Sequence, residues 1–567
     1  MSSLEETKPE PITRIVQEYD QSSDGEPEAL SKLDEKTFLA VFAVCLIYIA
    51  QLFALVGAGA QGNTIAAHFN SADSVSWITA PITILTAVLC PIVSQAADFW
   101  GRKPFLIACT LSGAVGCIVV ARASSMAMVI AGFTVVGIAF GAQSLLHTVA
   151  SEVLPRRWRS WAQSTIMMSN GFGLGIGLIV GGALNEHGNP DGFRNHFYIA
   201  MSLFIIATII CVFVYNPPAT ELQLTLSFKQ KLEHIDWIGY VLLASGLVLF
   251  CLGLSYLDNP YAWSDSHVSA IFAVGLALAV GLVVYETWFK KDGIFHHGLF
   301  RANRNFVIAV LCVFCEGISF FAGNTYFAFQ VSVLYETNFL IIGVRFSLAF
   351  LGMFLGAVTT GLYCAITKKL RFATVVAFVI FTTFFVCMAT TTKDSSTAVW
   401  GYPILLGWAL GMTLVTLVTI AQLSVPPELI TISSGLLISV RSLGGTIGIA
   451  IYNSVFKVQM AHLSTNIGNA AVGAGLPLGS VSQFVTGIIG QNSTELVAVP
   501  GITPGIIGAG ADALLNTYSK AFRNVWITAL PFVVVAAIVS VFLFDPSKEF
   551  NNHIDAPIEV ERERNSG

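Results

Sequence analysis

Asp98, Gly101, Arg102 and Lys103 fall within six positions of one another, in the stretch AADFWGRKPF. One acid, a residue that lets the backbone reverse tightly, and two adjacent bases make a charged turn. An ion pair there can form in one conformation and break in another. Glu152, beside Arg156 and Arg157 in SEVLPRRWRS, is a further candidate for the same latch. A second set of charges lies where charge is expensive. Glu316, Arg345 and Arg441 each sit inside a long apolar run. About eleven residues at 1.5 Å per residue put Glu316 about 16 Å deep. That is near the middle of a hydrocarbon core about 30 Å thick. A charge at that depth costs about 3 kcal/mol and marks a functional group by default. Glu316 therefore either exchanges a proton for an arginine partner or holds a fixed ion pair that positions helices. Arg441, at similar depth, and Arg345, about 8 Å below the outer end of its run, are the candidate partners.

These residues need membrane-spanning helices to position them. The chain has 567 residues, 54% hydrophobic and 11% charged, with a mean hydropathy of +0.72. Soluble domains carry about 25% charged residues. A net charge of −5 excludes nucleic acid as a natural partner. Runs long enough to cross a bilayer occur about fourteen times: 38–58, 76–96, 104–123, 126–149, 163–183, 197–215, 237–256, 267–288, 305–329, 340–364, 372–391, 399–421, 432–456 and 524–544. With the N-terminus inside, fourteen lysines and arginines fall in inner loops against six in outer ones, and the tails add seven inside. The positive-inside rule supports this even count.

The chemistry of the remainder is spare. All ten cysteines fall in apolar runs, so no disulfide framework is expected. Cys312 and Cys315 form a C-x-x-C inside one run, better read as packing than as a metal site. No phosphate-binding loop, H-E-x-x-H or G-x-S-x-G is present, so neither an enzyme nor a cofactor is expected.

The basic turn after span 2 repeats after span 10 as ITKKLR. An all-α membrane protein of 6 + 2 + 6 helices follows, with internal repeats of the kind secondary transporters use. Its expected parts are a disordered acidic cytoplasmic tail (1–37), a first six-helix bundle (38–215), an inserted pair with its loops (216–304), a second bundle (305–544) and a cytoplasmic tail (545–567). The second bundle carries a long outer loop, 457–523, with the glycosylation acceptor Asn492. Gly173, Gly177 and Gly181 recur every fourth residue in span 5, which lets another backbone approach that face. Gln51, Gln143, Asn324 and Tyr326 are hydrogen-bonding groups placed to line a cavity. Span 9 is dense in phenylalanine, of which at most about half should line a cavity and many should face lipid.

The turn resembles the loop motif between spans 2 and 3 of the major facilitator superfamily, with Asp98, Gly101, Arg102, Lys103 and Leu106 matching. That resemblance implies a role in switching between inward-open and outward-open states. Gly173, Gly177, Gly181 and Gly182 resemble the superfamily's antiporter motif, with Leu178 where proline is expected. Span 4 lacks the arginine of the next motif and offers only Gln143. SEVLPRRWRS, HIDWIGY, YAWSDSHV and SVRSLGGTIGIAIYNSVF are similar to the fungal trichothecene efflux pump and siderophore transporter group. The expected function is proton-coupled efflux of an amphipathic secondary metabolite, toxin or drug. Siderophore import by proton symport is the alternative within transport, and a non-transporting sensor of the same fold is the alternative outside it. Protons, a small amphipathic substrate and the bilayer are the expected partners of a monomer. The plasma membrane is its expected location, with the vacuolar membrane as the other possibility.

Overall fold

The computed structural model describes residues 35–555 apart from 72–73, 186–190, 219–220, 257–264, 291–292, 295, 303 and 491–495. Asn492, most of the acidic N-terminal segment and the end of the C-terminal tail lie outside the described residues.

Fourteen helices among the described residues are long and apolar enough to cross a membrane. Spans 1 to 6 are Glu35–Ala60, Trp77–Trp100, Arg102–Ala121, Met126–Glu152, Arg156–Leu184 and Gly192–Val214. Spans 7 and 8 are Trp237–Leu254 and Ser266–Trp288. Spans 9 to 14 are Arg304–Leu334, Phe339–Thr367, Leu370–Ala389, Ala398–Leu423, Pro427–Gly473 and Pro504–Ser540. In hydrocarbon every backbone polar group must be bonded internally, so runs of this composition have no alternative to helix. The face carrying the basic turns is the cytoplasmic one by the positive-inside rule, and is called the inner face below.

Spans 1–6 and 9–14 form two groups that meet along two helix pairs, span 5 with span 10 and span 2 with span 13. Small residues bring the backbones together at both seams. A Cβ on Gly361 would lie 2.3 Å from Ser164 Oγ, and one on Gly435 would lie 2.5 Å from Ser94 Oγ. Ser439 donates across the second seam to the Ala87 carbonyl. The inserted spans 7 and 8 close on each other just as tightly, with a Gly275 Cβ 2.3 Å from the Phe250 nitrogen. They lean on span 2, where Tyr240 bonds Gln95. Their other side exposes Val274, Val280 and Val283, as a lipid-facing surface should.

The glycine row of span 5 faces inward to its own group. Added Cβ atoms at Gly173 and Gly177 would lie 2.8 Å from the Ile49 carbonyl and 2.4 Å from Val56 Cγ1, both in span 1. Gly182 belongs to a different row, 3.1 Å from Leu340 Cα of span 10 across the seam.

The expected outer loop 457–523 is largely helical. Helices Leu463–Gly473 and Val481–Ile489 fold there, and the last span begins at Pro504, with the Thr503 hydroxyl accepting from the Ile506 nitrogen. Leu463, Ile467, Ala471, Phe484 and Ile488 share a separate small core. The segment's glycine and alanine content suggests a loop, but its apolar residues recur every four positions, and that spacing buries one helical face.

Candidate functional site

At the inner face, Gly101 holds φ 93° and ψ 155°, a backbone that side-chain-bearing residues rarely adopt. The reversal starts span 3 with Arg102 facing the end of span 4. Arg102 Nη2 donates to Glu152 Oε1 at 2.8 Å and lies 3.6 Å from Asp98 Oδ1. It also reaches Thr431 Oγ1 of span 13 at 3.3 Å, so this charged cluster touches both six-helix groups. The Glu152 side chain is 4% exposed, and it pairs with Arg102 rather than with the neighbouring Arg156. Lys103 turns elsewhere. Its ammonium donates to the Val212 carbonyl at 2.6 Å and to Asn216, capping span 6 of its own group.

At mid-depth Glu316 meets Arg441. Two charge-assisted bonds of 2.7 and 3.0 Å join the carboxylate to Nε and Nη2 in a forked pair. Glu316 is fully buried, and the guanidinium lies 4.5 Å over the Phe320 ring. Gly317 makes this contact possible, because an added Cβ would lie 2.1 Å from the Arg441 carbonyl oxygen. Overpacking of this kind costs about 1–3 kcal/mol. Gly317→Ala should therefore lower the Tm of the purified protein and loosen the pair. An unchanged melting curve would contradict the close approach. Arg345 does not compete for Glu316. It lies over Trp400 at 4.5 Å, bonds Ser396 at 3.2 Å and stands 3.9 Å from Glu336, at the outer end of span 10.

A polar cluster from spans 1 and 5 gathers at an interruption in span 4. Its helix stops at Phe140, turns at Gly141 and Ala142, and resumes at Gln143. Interrupted helices are a recurrent feature of transporter binding sites. Gln51 Nε2 donates to the Ala139 carbonyl in the turn before the break at 2.8 Å. Gln143 and Asn170 both donate to the Tyr48 hydroxyl, at 3.0 and 2.9 Å. Of the four predicted cavity residues, Gln143 thus belongs to the central cluster and Gln51 braces it. Tyr326 instead bonds Asn453 at 2.6 Å within the second group, and Asn324 is half-buried nearer the outer end. Phe306, Phe320, Phe321 and Phe327 are buried and Phe314 and Phe329 are half-buried, so fewer of these rings face lipid than expected. Phe306, Phe320, Phe321, Phe327 and Phe329 pack on other rings, as Phe327 does on Phe346.

Below Tyr48 lies a network that the sequence reading missed. His147 Nδ1 bonds Gln163 Oε1 at 2.6 Å, and its ring meets Tyr48 edge-on at 5.8 Å. Gln163 also donates to Ser151 at 2.6 Å and reaches Gln422 of span 12 at 3.4 Å, and Gln422 donates to Ser434 of span 13 at 2.9 Å. The available signal was two amides, Gln163 and Gln422, at the inner ends of apolar runs, where burial demands hydrogen bonds.

Two six-helix groups, an inserted pair and a charged cluster at the turn between spans 2 and 3 define a multi-pass membrane transporter of the major facilitator class, which is not an enzyme. Solved structures support the fold. The human organic anion transporter MFSD10 (TETRAN) superposes with a TM-score of 0.51 at 16% identity, covering 88% of this chain and 99% of that one. A bacterial homologue of the human lysosomal transporter Spinster, inward-facing and unoccupied, gives 0.52 at 15% identity, covering 91% and 98%. The chain belongs to the fungal trichothecene efflux pump family, whose model it matches over residues 12–565. It is 22% identical over 520 residues to the trichothecene efflux pump TRI12 of Fusarium sporotrichioides, covering 89% of this chain and 86% of that one. It is 24% identical over 545 residues to the MFS-type efflux transporter ffsH of Aspergillus flavipes, covering 94% and 88%.

Proposed function

We propose that this transporter exports an amphipathic organic molecule, a secondary metabolite, toxin or drug, in exchange for protons at the cell membrane. The observation that carries the reading is the buried Glu316–Arg441 pair, set beside the Tyr48–Gln143–Asn170 cluster and backed by Phe320. A carboxylate that can trade its arginine for a proton gives each group two electrostatic states, and the freed guanidinium and aromatic face offer a substrate one charged and one apolar contact. In this role Asp98, Gly101, Arg102 and Glu152 govern closure of the inner face. The few polar groups at the centre favour a substrate with much apolar surface over a sugar or an inorganic ion. The relatives named as efflux pumps support the outward direction.

Inside-out vesicles carrying the protein test this directly. An imposed proton gradient, acid inside, should drive uptake of a trichothecene or a comparable amphipathic toxin, and a protonophore should abolish it. Uptake that ignores the gradient would refute proton coupling. Accumulation only in right-side-out vesicles would refute export.

A further inference from the structure

The inner ends of the two groups are joined by more than the Arg102 latch. After span 14 the chain does not simply leave the membrane. It first runs along the second group. Asn305 Oδ1 accepts from the Phe544 nitrogen at 2.8 Å, Asp545 accepts from the Arg371 nitrogen at 2.7 Å, and Ser547 donates to the Lys368 carbonyl at 3.2 Å. Phe550 is 5% exposed, in a small core with Leu370, Ile420 and Leu423. The next five residues cross to the first group. The His553 and Asn551 carbonyls accept from the Arg156 and Arg157 nitrogens at 2.9 and 2.8 Å. Asp555 then enters a socket between two arginines. It accepts from Arg156 Nη2 at 2.8 Å and from Arg159 Nη2, with its side chain 3% exposed. Arg159 is itself 1% exposed and donates through its other nitrogen to the Gln422 carbonyl of span 12 at 2.9 Å. Glu549 adds a contact to Arg156 at 3.3 Å.

We propose that residues 545–555 form a cytoplasmic strap, with Asp555 as its positioning residue, that ties the two six-helix groups together and holds the inner face closed.

The strap must let go when the inner face opens. Its first half is fixed to the second group by backbone bonds and apolar burial. Its second half is fixed to the first group by backbone bonds to the turn after span 4 and by the charge of Asp555. Rocking the groups apart therefore has to break one anchor. The Asp555 socket rests on charged bonds that water can replace as the face opens, whereas the Phe550 anchor rests on apolar burial with Leu370, Ile420 and Leu423. Burial pushes the Asp555 carboxyl up, but Arg159 and Arg156 together draw it below the usual carboxylate range. A carboxyl with a depressed value keeps its contribution above its ordinary value and loses it only as pH falls through the lowered one. Glu549, His553, Arg156 and Arg159 face it, and Glu152 lies close enough to act on it. Cytosolic pH changes near neutrality thus leave the strap fastened, and its release is driven by motion of the helices. The strap and its test stand independently of what is transported and of proton coupling.

Hydrogen–deuterium exchange on the full chain in lipid nanodiscs tests it without any substrate. In Asp555→Asn, and separately in a chain ending after Phe550, exchange at the inner ends of spans 4, 5, 12 and 13 should rise at least about tenfold, the change expected for loss of one of the two charge-assisted bonds that Asp555 makes. The outer ends should not change. Asp555→Glu, which keeps the charge facing both arginines, should keep most of the protection. Unchanged inner-end exchange in both single variants would overturn the proposal. So would a rise spread evenly over all spans, which would mark lost stability instead of an opened face, or an Asp555→Glu chain as unprotected as Asp555→Asn.

Discussion

Glu316→Ala is expected to destabilise the protein severely and to end gradient-driven transport, and an apolar replacement of the whole pair is expected to repair only the first. Removing the carboxylate strands the Arg441 guanidinium in a site where Glu316 was its forked partner. Breaking a buried pair from one side costs about 3–5 kcal/mol, because the remaining charge stays desolvated. Replacing both members by apolar groups of similar volume is often neutral. The double variant Glu316→Leu, Arg441→Met should therefore melt near the wild-type Tm while Glu316→Ala melts far below it. Transport separates the two roles that the sequence left open. If the pair only positions spans 9 and 13, the repaired double variant carries substrate. If the carboxylate exchanges its arginine for a proton, the double variant is stable and inert to the gradient. Glu316→Gln adds the complementary case, a permanently neutral side chain of the same shape. It should permit substrate binding and exchange without net pumping. A double variant that pumps at the wild-type rate would reduce the pair to a structural tie.

Membrane residence, the number of spans and the 6 + 2 + 6 grouping were legible because hydrocarbon leaves the backbone few options. The charged turn was legible for a related reason. Gly101 needs its special backbone, and an acid beside two bases is conspicuous in a chain with so few charges. Which arginine serves Glu316 was not legible. Depth alone admits both Arg345 and Arg441, and the choice depends on the contact of spans 9 and 13 at Gly317, a fact about packing between distant segments. Lys103 matched a motif position yet caps span 6, since a motif fixes residue type but not where a long side chain points. The His147 network escaped because its members lie on four helices and no spacing links them. The tail strap escaped because a polar C-terminal segment reads as solvated chain, and Asp555 acquires meaning only when folding brings it to Arg156 and Arg159. The outer helices were hidden by small residues whose composition resembles a linker's.

Thr431→Val is expected to move the protein toward the inward-open state while leaving its first six-helix group intact, and Arg102→Ala is expected to damage both. The difference follows from what Arg102 touches. Its bond to Glu152 and its proximity to Asp98 lie within the first group and persist through any rigid-body rocking. Its 3.3 Å contact with Thr431 crosses to the second group and must part when the inner face opens. A hydrogen bond to a charged group contributes about 1.5–3 kcal/mol. Each 1.4 kcal/mol is about tenfold in an equilibrium, so losing that contact shifts the closed-to-open ratio by about ten- to a hundredfold. Valine keeps the shape of threonine, so the helix end itself is spared. In Arg102→Ala the same contact is lost and Glu152 is left buried beside Asp98 without its cation, which also lowers the Tm. Arg102→Lys should fall between them, because Nη2 alone makes all three contacts and an ammonium can replace one nitrogen, but the lysine side chain ends one bond shorter. Distance measurements between spin labels at the inner ends of spans 4 and 12 read the ratio directly. If Thr431→Val left that distance distribution unchanged, the Arg102 cluster would be a fixture of the first group, and closure of the inner face would rest on the strap and on the contacts of Gln422 with Gln163 and Arg159.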